Sequence, residues 1–163
     1  MVILGIDPGY ATVGYGVVAY DGHQFQTLGY GAITTPPDLP FAERLEIIYR
    51  DMGELIEHFH PDYMSIEKLF FNTNITTGIE VAHARGVILL QAVQHCLPYK
   101  EYTPIQVKQS IVGYGKAEKK QVMLMTQSFL HLPNLPRPDD AADALAMAIC
   151  LGHSTNSLLE GQK

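Results

Sequence analysis

The first third of the chain alternates short apolar runs with turn-forming residues, which is typical of a β-sheet. Val2–Ile6 is a continuous apolar run that ends at Asp7-Pro8-Gly9. Two further strand-like segments, Gly14–Tyr20 and Gln24–Ile33, flank the turn signal Asp21-Gly22. Because strands joined by such tight turns pair with their neighbours, the sequence predicts a meander of three antiparallel strands.

Beyond Pro40 the apolar positions recur every three or four residues, which indicates helices. The first helix is predicted to end at Pro61, and its apolar face comprises Phe41, Leu45, Ile48, Met52, Leu55 and Phe59. The following segments are predicted to be strand Tyr63–Glu67, loop Phe70–Thr77, helix Gly78–Cys96, strand Tyr99–Tyr102, helices Ile105–Val112 and Lys119–Leu130, loop His131–Pro138 and helix Asp139–Gly152. This order predicts an α/β fold, in which one five-stranded mixed sheet has helices on both faces.

Length and composition fit one globular domain. The chain has 163 residues, of which 47% are hydrophobic and 17% are charged. We predict a single domain over residues 1–153, followed by a polar, flexible C-terminal tail over residues 154–163. Two cysteines are too few for a disulfide framework or a cysteine-rich zinc site. The sequence lacks a basic leader and an apolar run of ~20 residues, which predicts a cytoplasmic protein.

The distribution of charge along the chain bears on whether the protein can bind nucleic acid. A formal net charge of -6 argues against a nucleic-acid-binding protein. However, many of the acidic residues lie between Asp38 and Asp62, whereas four lysines fall in one short stretch: Lys108, Lys116, Lys119 and Lys120. This segregation permits a local basic surface on an acidic protein.

Four acidic residues stand at the ends of predicted elements. Asp7 closes the first strand and Glu67 closes the fourth, while Asp140 and Asp143 share one face of the last helix. If the first and fourth strands are parallel neighbours, Asp7 and Glu67 project from the sheet edge where α/β proteins bind ligands. Two carboxylates ~4 Å apart repel by about 4 kcal/mol at an effective dielectric of ~20. The repulsion within a cluster of four must therefore be offset by protons or by hard cations, among which Mg²⁺ prefers oxygen ligands.

Each of these acids also has a structural interpretation. Asp7 precedes Pro8-Gly9 and suits a turn, and the acids at the start of the last helix suit its positive N-terminal end. Glu67 is harder to explain in this way, because a lone carboxylate in an apolar strand is costly. Helical spacing cannot choose between Asp139 and Asp140, and we assign Asp139 to the N-cap because it follows Pro138.

Six short motifs follow one another along the chain: Gly5-Ile6-Asp7-Pro8-Gly9, Gly14-Tyr15-Gly16-Val17, Ile66-Glu67, Ala84-Arg85-Gly86, Gln106-Val107-Lys108-Gln109 and Asp140-Ala141-Ala142-Asp143-Ala144-Leu145-Ala146. Any one of these motifs is weak, but their order and spacing hold over residues 1–153 and are highly specific. In this ordered set the sequence resembles a known family, the bacterial RuvC Holliday junction resolvases.

The resemblance implies a ribonuclease H-like fold and a homodimer that resolves four-way DNA junctions by paired symmetric nicks in recombination and repair. It implies Mg²⁺-dependent phosphodiester hydrolysis with two ions per site, for which Mn²⁺ can substitute. The catalytic and metal-binding residues would be Asp7, Glu67, Asp140 and Asp143. The resemblance thus favours Asp140 over Asp139, and it also suggests cooperation with the branch-migration proteins RuvA and RuvB.

The candidate DNA contacts come partly from the resemblance and partly from the residues. Lys108 and Lys119 match DNA-contacting lysines of the family, and Phe70 matches a residue that stacks at the junction centre. Lys116 lies near a glycine-containing turn that leads into a helix, where a phosphate can bind, although a solvated surface explains it equally well. Asn74 belongs to a polar segment suited to base contacts, and the role of Phe71 stays open.

Three other functions remain as alternatives. A ribonuclease H-like enzyme that acts on RNA would keep the strand-end acids without needing Phe70 and the lysines. A nucleotide-binding protein of the actin and sugar-kinase type also opens with Gly-x-Asp-x-Gly, but that architecture needs two such domains. A non-catalytic junction-binding protein would bind four-way DNA and would not cut it.

Overall fold

The computed structural model describes residues 1–69 and 75–160. The strands are β1 (Val2–Asp7), β2 (Thr12–Tyr20), β3 (Phe25–Thr34), β4 (Tyr63–Glu67) and β5 (Tyr99–Tyr102). The helices are α1 (Phe41–Phe59), α2 (Ile75–Gln94), α3 (Pro104–Val112), α4 (Lys119–Phe129) and α5 (Asp139–Glu160). They form one five-stranded sheet in the order β3-β2-β1-β4-β5. Strands β1, β2 and β3 are antiparallel neighbours, whereas β1, β4 and β5 run parallel. The predicted mixed α/β fold is therefore confirmed.

The turn between β2 and β3 forms as its sequence predicts. Gly22 adopts a φ of 103°, a backbone conformation that is strained for any residue with a side chain. The Asp21 carboxylate accepts hydrogen bonds from the main-chain N–H groups of His23 and Gln24, both at 2.8 Å. These local contacts fix the register of the hairpin.

Two layers of helices cover the sheet. Helices α1 and α2 pack on one face against a core that includes Leu4 and Ile6 of β1. Helices α3, α4 and α5 pack on the other face, where Ile3 of β1 joins their core. Because side chains alternate along a strand, the odd-numbered positions of β1 face α5.

The last helix is longer than the sequence predicts. We expected it to end at Gly152, with a polar tail from residue 154, but α5 continues to Glu160. The hydroxyl groups of Ser154 and Thr155 donate to the carbonyl oxygens of Cys150 and Gly152, at 2.9 and 2.7 Å. These polar side chains are therefore satisfied within the helix, which explains why polarity alone misplaced its end.

Candidate active site

Asp7 and Glu67 lie side by side at the carboxyl ends of β1 and β4. The parallel register pairs Ile6 with Ile66, so the two acids follow at the next position of each strand. Both side chains also face α5. Asp7 is an odd-numbered position of β1, and Ser65, two residues before Glu67, donates its hydroxyl to a carbonyl of α5 at 2.7 Å. The strands therefore present both carboxylates to the layer that contains α5.

Helix α5 approaches the sheet closely because glycines line the strands beneath it. A Cβ at Gly5 would lie 1.9 Å from the Ala144 carbonyl oxygen, and one at Gly14 would lie 2.1 Å from that of Asp140. Gly14 is the β2 partner of Asp7. This contact brings the first turn of α5, with its acids, to the strand end where Asp7 lies. The sequence interpretation missed this role, although glycine inside a strand is a signal of close backbone approach.

The acids meet at a cleft with a volume of about 250 Å³. Its charged lining residues are Asp7, Glu67, Lys108, Lys119 and Asp143, and its other lining residues are Pro104, Val107, Val122, Ala146 and Met147. Asp140 is half-buried beside the cleft and acts electrostatically on Asp7. The structure thus brings together the four acids proposed from the sequence.

The protonation of Asp7 shows how strongly the site resists negative charge. Burial, followed by repulsion from Glu67, Asp143 and Asp140, raises the pKa of Asp7 to about 8. Burial and the charge of Asp143 also raise the pKa of Glu67. A cation in the cleft would favour ionisation of both groups, since it would offset the repulsion and the lost hydration.

Lys119 supplies part of this positive charge. It lies at the start of α4, and its Nζ donates to Asp143 Oδ2 at 2.8 Å. That hydrogen bond is the main cause of the raised pKa of Lys119. The sequence interpretation considered Lys119 only as a DNA contact, whereas the structure places it inside the carboxylate cluster.

The donor set fits a hard divalent cation. The acidic lining offers carboxylate oxygens, the ligand type that Mg²⁺ and Mn²⁺ prefer. Within residues 1–69 and 75–160, no three His, Cys, Asp or Glu side chains already stand in a metal-coordinating arrangement. One of the carboxylates, that of Asp143, is paired with the ammonium group of Lys119.

Comparisons with known proteins show the family of the chain. A family described as "Crossover junction endodeoxyribonuclease RuvC" matches residues 3–151 of the chain. The protein with that name from Alkaliphilus oremlandii is 53% identical over 156 residues, which cover 96% of this chain and 95% of the relative. The chain belongs to the RuvC family.

Solved RuvC structures share the whole fold. The RuvC structure from Thermus thermophilus is 35% identical, with a TM-score of 0.90 and coverage of 96% of both chains. T. thermophilus RuvC in complex with a Holliday junction substrate gives a TM-score of 0.92 at the same identity and coverage. The fold is therefore ribonuclease H-like, as the resemblance implied.

The remaining predicted residues have different outcomes. Lys108 is half-buried in the cleft wall, whereas Lys116 is exposed in the loop between α3 and α4 and does not line the cleft. Phe70, Phe71 and Asn74 lie outside the described residues.

The prediction that Asp139 is the N-cap of the last helix is wrong. The Pro138 carbonyl accepts the first helical hydrogen bond, from the Ala142 N–H, so Asp139 is the first helical residue.

Asp139 instead pairs with Arg137 on the preceding loop. This ion pair gives Asp139 a partner outside the cleft and separates its role from that of Asp140.

Among the described helices, none combines the length and hydrophobicity that a membrane span requires.

Proposed function

We propose that this RuvC-family protein hydrolyses phosphodiester bonds in four-way DNA junctions, with Asp7, Glu67, Asp140 and Asp143 as its catalytic and metal-binding residues. The observation that carries the proposal is the convergence of Asp7, Glu67 and Asp143 in one cleft, with Asp140 half-buried beside it. The related T. thermophilus protein forms a complex with a Holliday junction substrate, which supports the choice of substrate.

Divalent-metal dependence belongs to the family, and we propose two Mg²⁺ ions per site, for which Mn²⁺ can substitute. Bound there, such ions lower the pKa of a water molecule and stabilise the leaving oxygen of a phosphodiester. The protein holds the ligands in place from two directions. Asp7 and Glu67 stand on adjacent strands, and Asp140 and Asp143 stand on a helix packed against strand glycines. Lys119 adds a positive charge to the carboxylate cluster, 2.8 Å from Asp143 Oδ2.

The charge layout favours DNA approaching this side of the sheet. Lys108 and Lys119 line the cleft, and the exposed Lys116 lies on the loop before α4. Helix α1, on the opposite face, carries five of the chain's 17 acidic residues, of which the exposed ones are Glu43, Glu46, Glu54 and Glu57. This arrangement gives a protein of net charge -6 a surface that can bind phosphates. Phe70 and Asn74 are proposed to contact bases near the junction centre.

A homodimer is proposed from the surface of α2. Six of its exposed residues follow spacings of three and four, which place them in one stripe, comprising Thr76, Ile79, His83, Gly86, Leu90 and Val93. Ile79, Leu90 and Val93 expose 48%, 50% and 63% of their surface. A Cβ at Gly86 would contact nothing within 4 Å, so the helix surface is open there. Two copies of this stripe facing each other form a two-fold dimer, which matches a substrate of two-fold symmetry.

The substitution Leu90→Glu is expected to convert the dimer to a monomer, because it places a charge among the exposed apolar side chains of the stripe. Paired nicking of a supercoiled cruciform plasmid should fall at least ~10-fold relative to single nicking, since two sites must act together. Sedimentation and the ratio of linear to nicked product measure the two effects. Leu28→Glu is the matched control, because Leu28 is 41% exposed on β3, away from α2. A dimeric Leu90→Glu variant would contradict the proposed interface.

We further propose that the protein acts with the branch-migration proteins RuvA and RuvB. This proposal rests on family membership, and it concerns the supply of junctions to the dimer.

The proposed activity is tested by titrating Mg²⁺ against a synthetic four-way junction, a linear duplex of the same sequence and a structured RNA. We expect symmetric nicks in the junction that require Mg²⁺, with cleavage of the duplex and the RNA at least ~100-fold slower. Preferential cleavage of RNA would support the alternative nuclease. Tight junction binding without nicks at any Mg²⁺ or Mn²⁺ concentration would identify a non-catalytic junction-binding protein.

A further inference from the structure

Arg85 contacts the main chain of Glu67 from beneath the sheet edge. It lies on α2, and its side chain is only 13% exposed. Its Nε donates to the Glu67 carbonyl oxygen at 3.1 Å, and its Nη2 forms an ion pair with Glu101 of β5. One guanidinium group thus connects a helix with the ends of two parallel strands.

These contacts explain why a buried cation is retained at this position. Taking a guanidinium group out of water is costly unless its N–H groups find charged or polar partners. Arg85 has both kinds, since the Glu101 carboxylate balances its charge and the Glu67 carbonyl accepts from Nε. Its planar group, with donors in fixed directions, suits two partners at once better than a lysine does.

The carbonyl that Arg85 holds belongs to a catalytic candidate at the last position of β4. Just beyond it, the Lys68 N–H donates to the Tyr102 carbonyl oxygen at 2.8 Å, which closes the ladder between β4 and β5. The main chain on either side of the Glu67 side chain is therefore restrained by Arg85 and by β5. Restraints of this kind around a metal ligand typically contribute 10–100-fold to metal affinity or activity.

Helix α2 also carries the exposed stripe of the proposed dimer, and Gly86 of that stripe directly follows Arg85. We propose that Arg85 is a positioning residue, which fixes Glu67 in the cleft and couples its placement to helix α2. The inference rests on the proposed function and extends it. Arg85 reaches Glu67 through the main chain, so it acts through the carboxylate's position and takes no part in the chemistry.

The test compares Arg85→Met, Arg85→Lys and Glu101→Gln with the wild type. Arg50→Met is the control, because Arg50 is an exposed arginine on α1 that pairs with its neighbour Asp51. Amide hydrogen exchange read by NMR reports the strand end directly. In Arg85→Met we expect the Lys68 amide to exchange at least ~10-fold faster. The Met64 amide, which donates to the Pro98 carbonyl oxygen at the other end of β4, should keep its wild-type rate.

Kinetics supply the second measurement. In Arg85→Met we expect kcat for junction cleavage to fall roughly 10- to 100-fold and the half-saturating Mg²⁺ concentration to rise, while KM for the junction is unchanged. Arg85→Lys should recover part of kcat. Glu101→Gln should cause a smaller loss of kcat, because Arg85 can still donate its hydrogen bond to the Glu67 carbonyl oxygen in this variant. If Arg85→Met does not fold, these two milder variants still decide the question.

Wild-type exchange at Lys68 together with wild-type Mg²⁺ dependence in a folded variant would overturn the inference. Uniformly faster exchange along β4, Met64 included, would also overturn it, since Arg85 would then only stabilise the fold. Failure of the wild type to cut junctions would refute the proposed function, and the exchange experiment would still test the contact.

Discussion

Replacing Asp7 with Asn is expected to abolish junction cleavage while leaving junction binding intact. The amide has nearly the shape of the carboxylate but lacks the negative charge that holds a divalent cation. Asp7 receives repulsion from three other acids of the cluster, which makes it the electrostatic centre of the site. We expect a loss of about 1,000-fold or more, equivalent to roughly 4 kcal/mol of transition-state stabilisation.

Single-turnover cleavage of a labelled junction measures this loss, and band shifts in EDTA measure binding separately. Asp38→Asn is a suitable control, because Asp38 is exposed in the loop before α1 and does not line the cleft. Cleavage at a near-wild-type rate in Asp7→Asn would refute the metal-binding role of Asp7. Loss of binding in parallel with cleavage would mean that the substitution disturbs the DNA surface instead.

The strand-end acids illustrate what local pattern predicts well. The apolar run of β1 ends at Asp7 and that of β4 ends at Glu67, so both positions follow directly from the sequence. Their adjacency required the condition that β1 and β4 are parallel neighbours, and the sheet order meets it. The acids of α5 could not be identified from local pattern alone, because helical spacing fits Asp139 as well as Asp140.

Contacts between distant segments decide what the pattern leaves open. The contact of Gly14 with the Asp140 backbone and the ion pair of Asp139 with Arg137 distinguish the two acids. Lys119 meets an acid 24 residues away, and Arg85 meets a carbonyl 18 residues away. Each pair joins two different elements, α4 with α5 and α2 with β4, so the periodicity within one element could not predict it.

The metal-free protein is expected to lose stability as the pH rises from about 4 to about 8. The folded state holds Asp7 protonated until its pKa of about 8, whereas the unfolded chain releases that proton near the ordinary value of 3.8. Between these values unfolding releases a proton, so a higher pH favours the unfolded state. One such group lowers the free energy of unfolding by up to about 1.4 kcal/mol per pH unit. The raised pKa of Glu67 acts in the same direction.

Thermal unfolding in EDTA across this pH range measures the effect, because 1 kcal/mol corresponds to roughly 2–4 °C in Tm for a chain of this size. Asp7→Asn should flatten the slope and raise Tm by several degrees at pH 7.5, since the amide carries no charge to bury. Mg²⁺ should stabilise the wild type at that pH and have little effect on Asp7→Asn, because a ligand stabilises only the state that binds it. Asp38→Asn should keep the wild-type slope. A wild-type Tm that rises steadily between pH 5 and 8 in EDTA would show that Asp7 ionises without penalty, and the acids would then not need a cation to share the cleft.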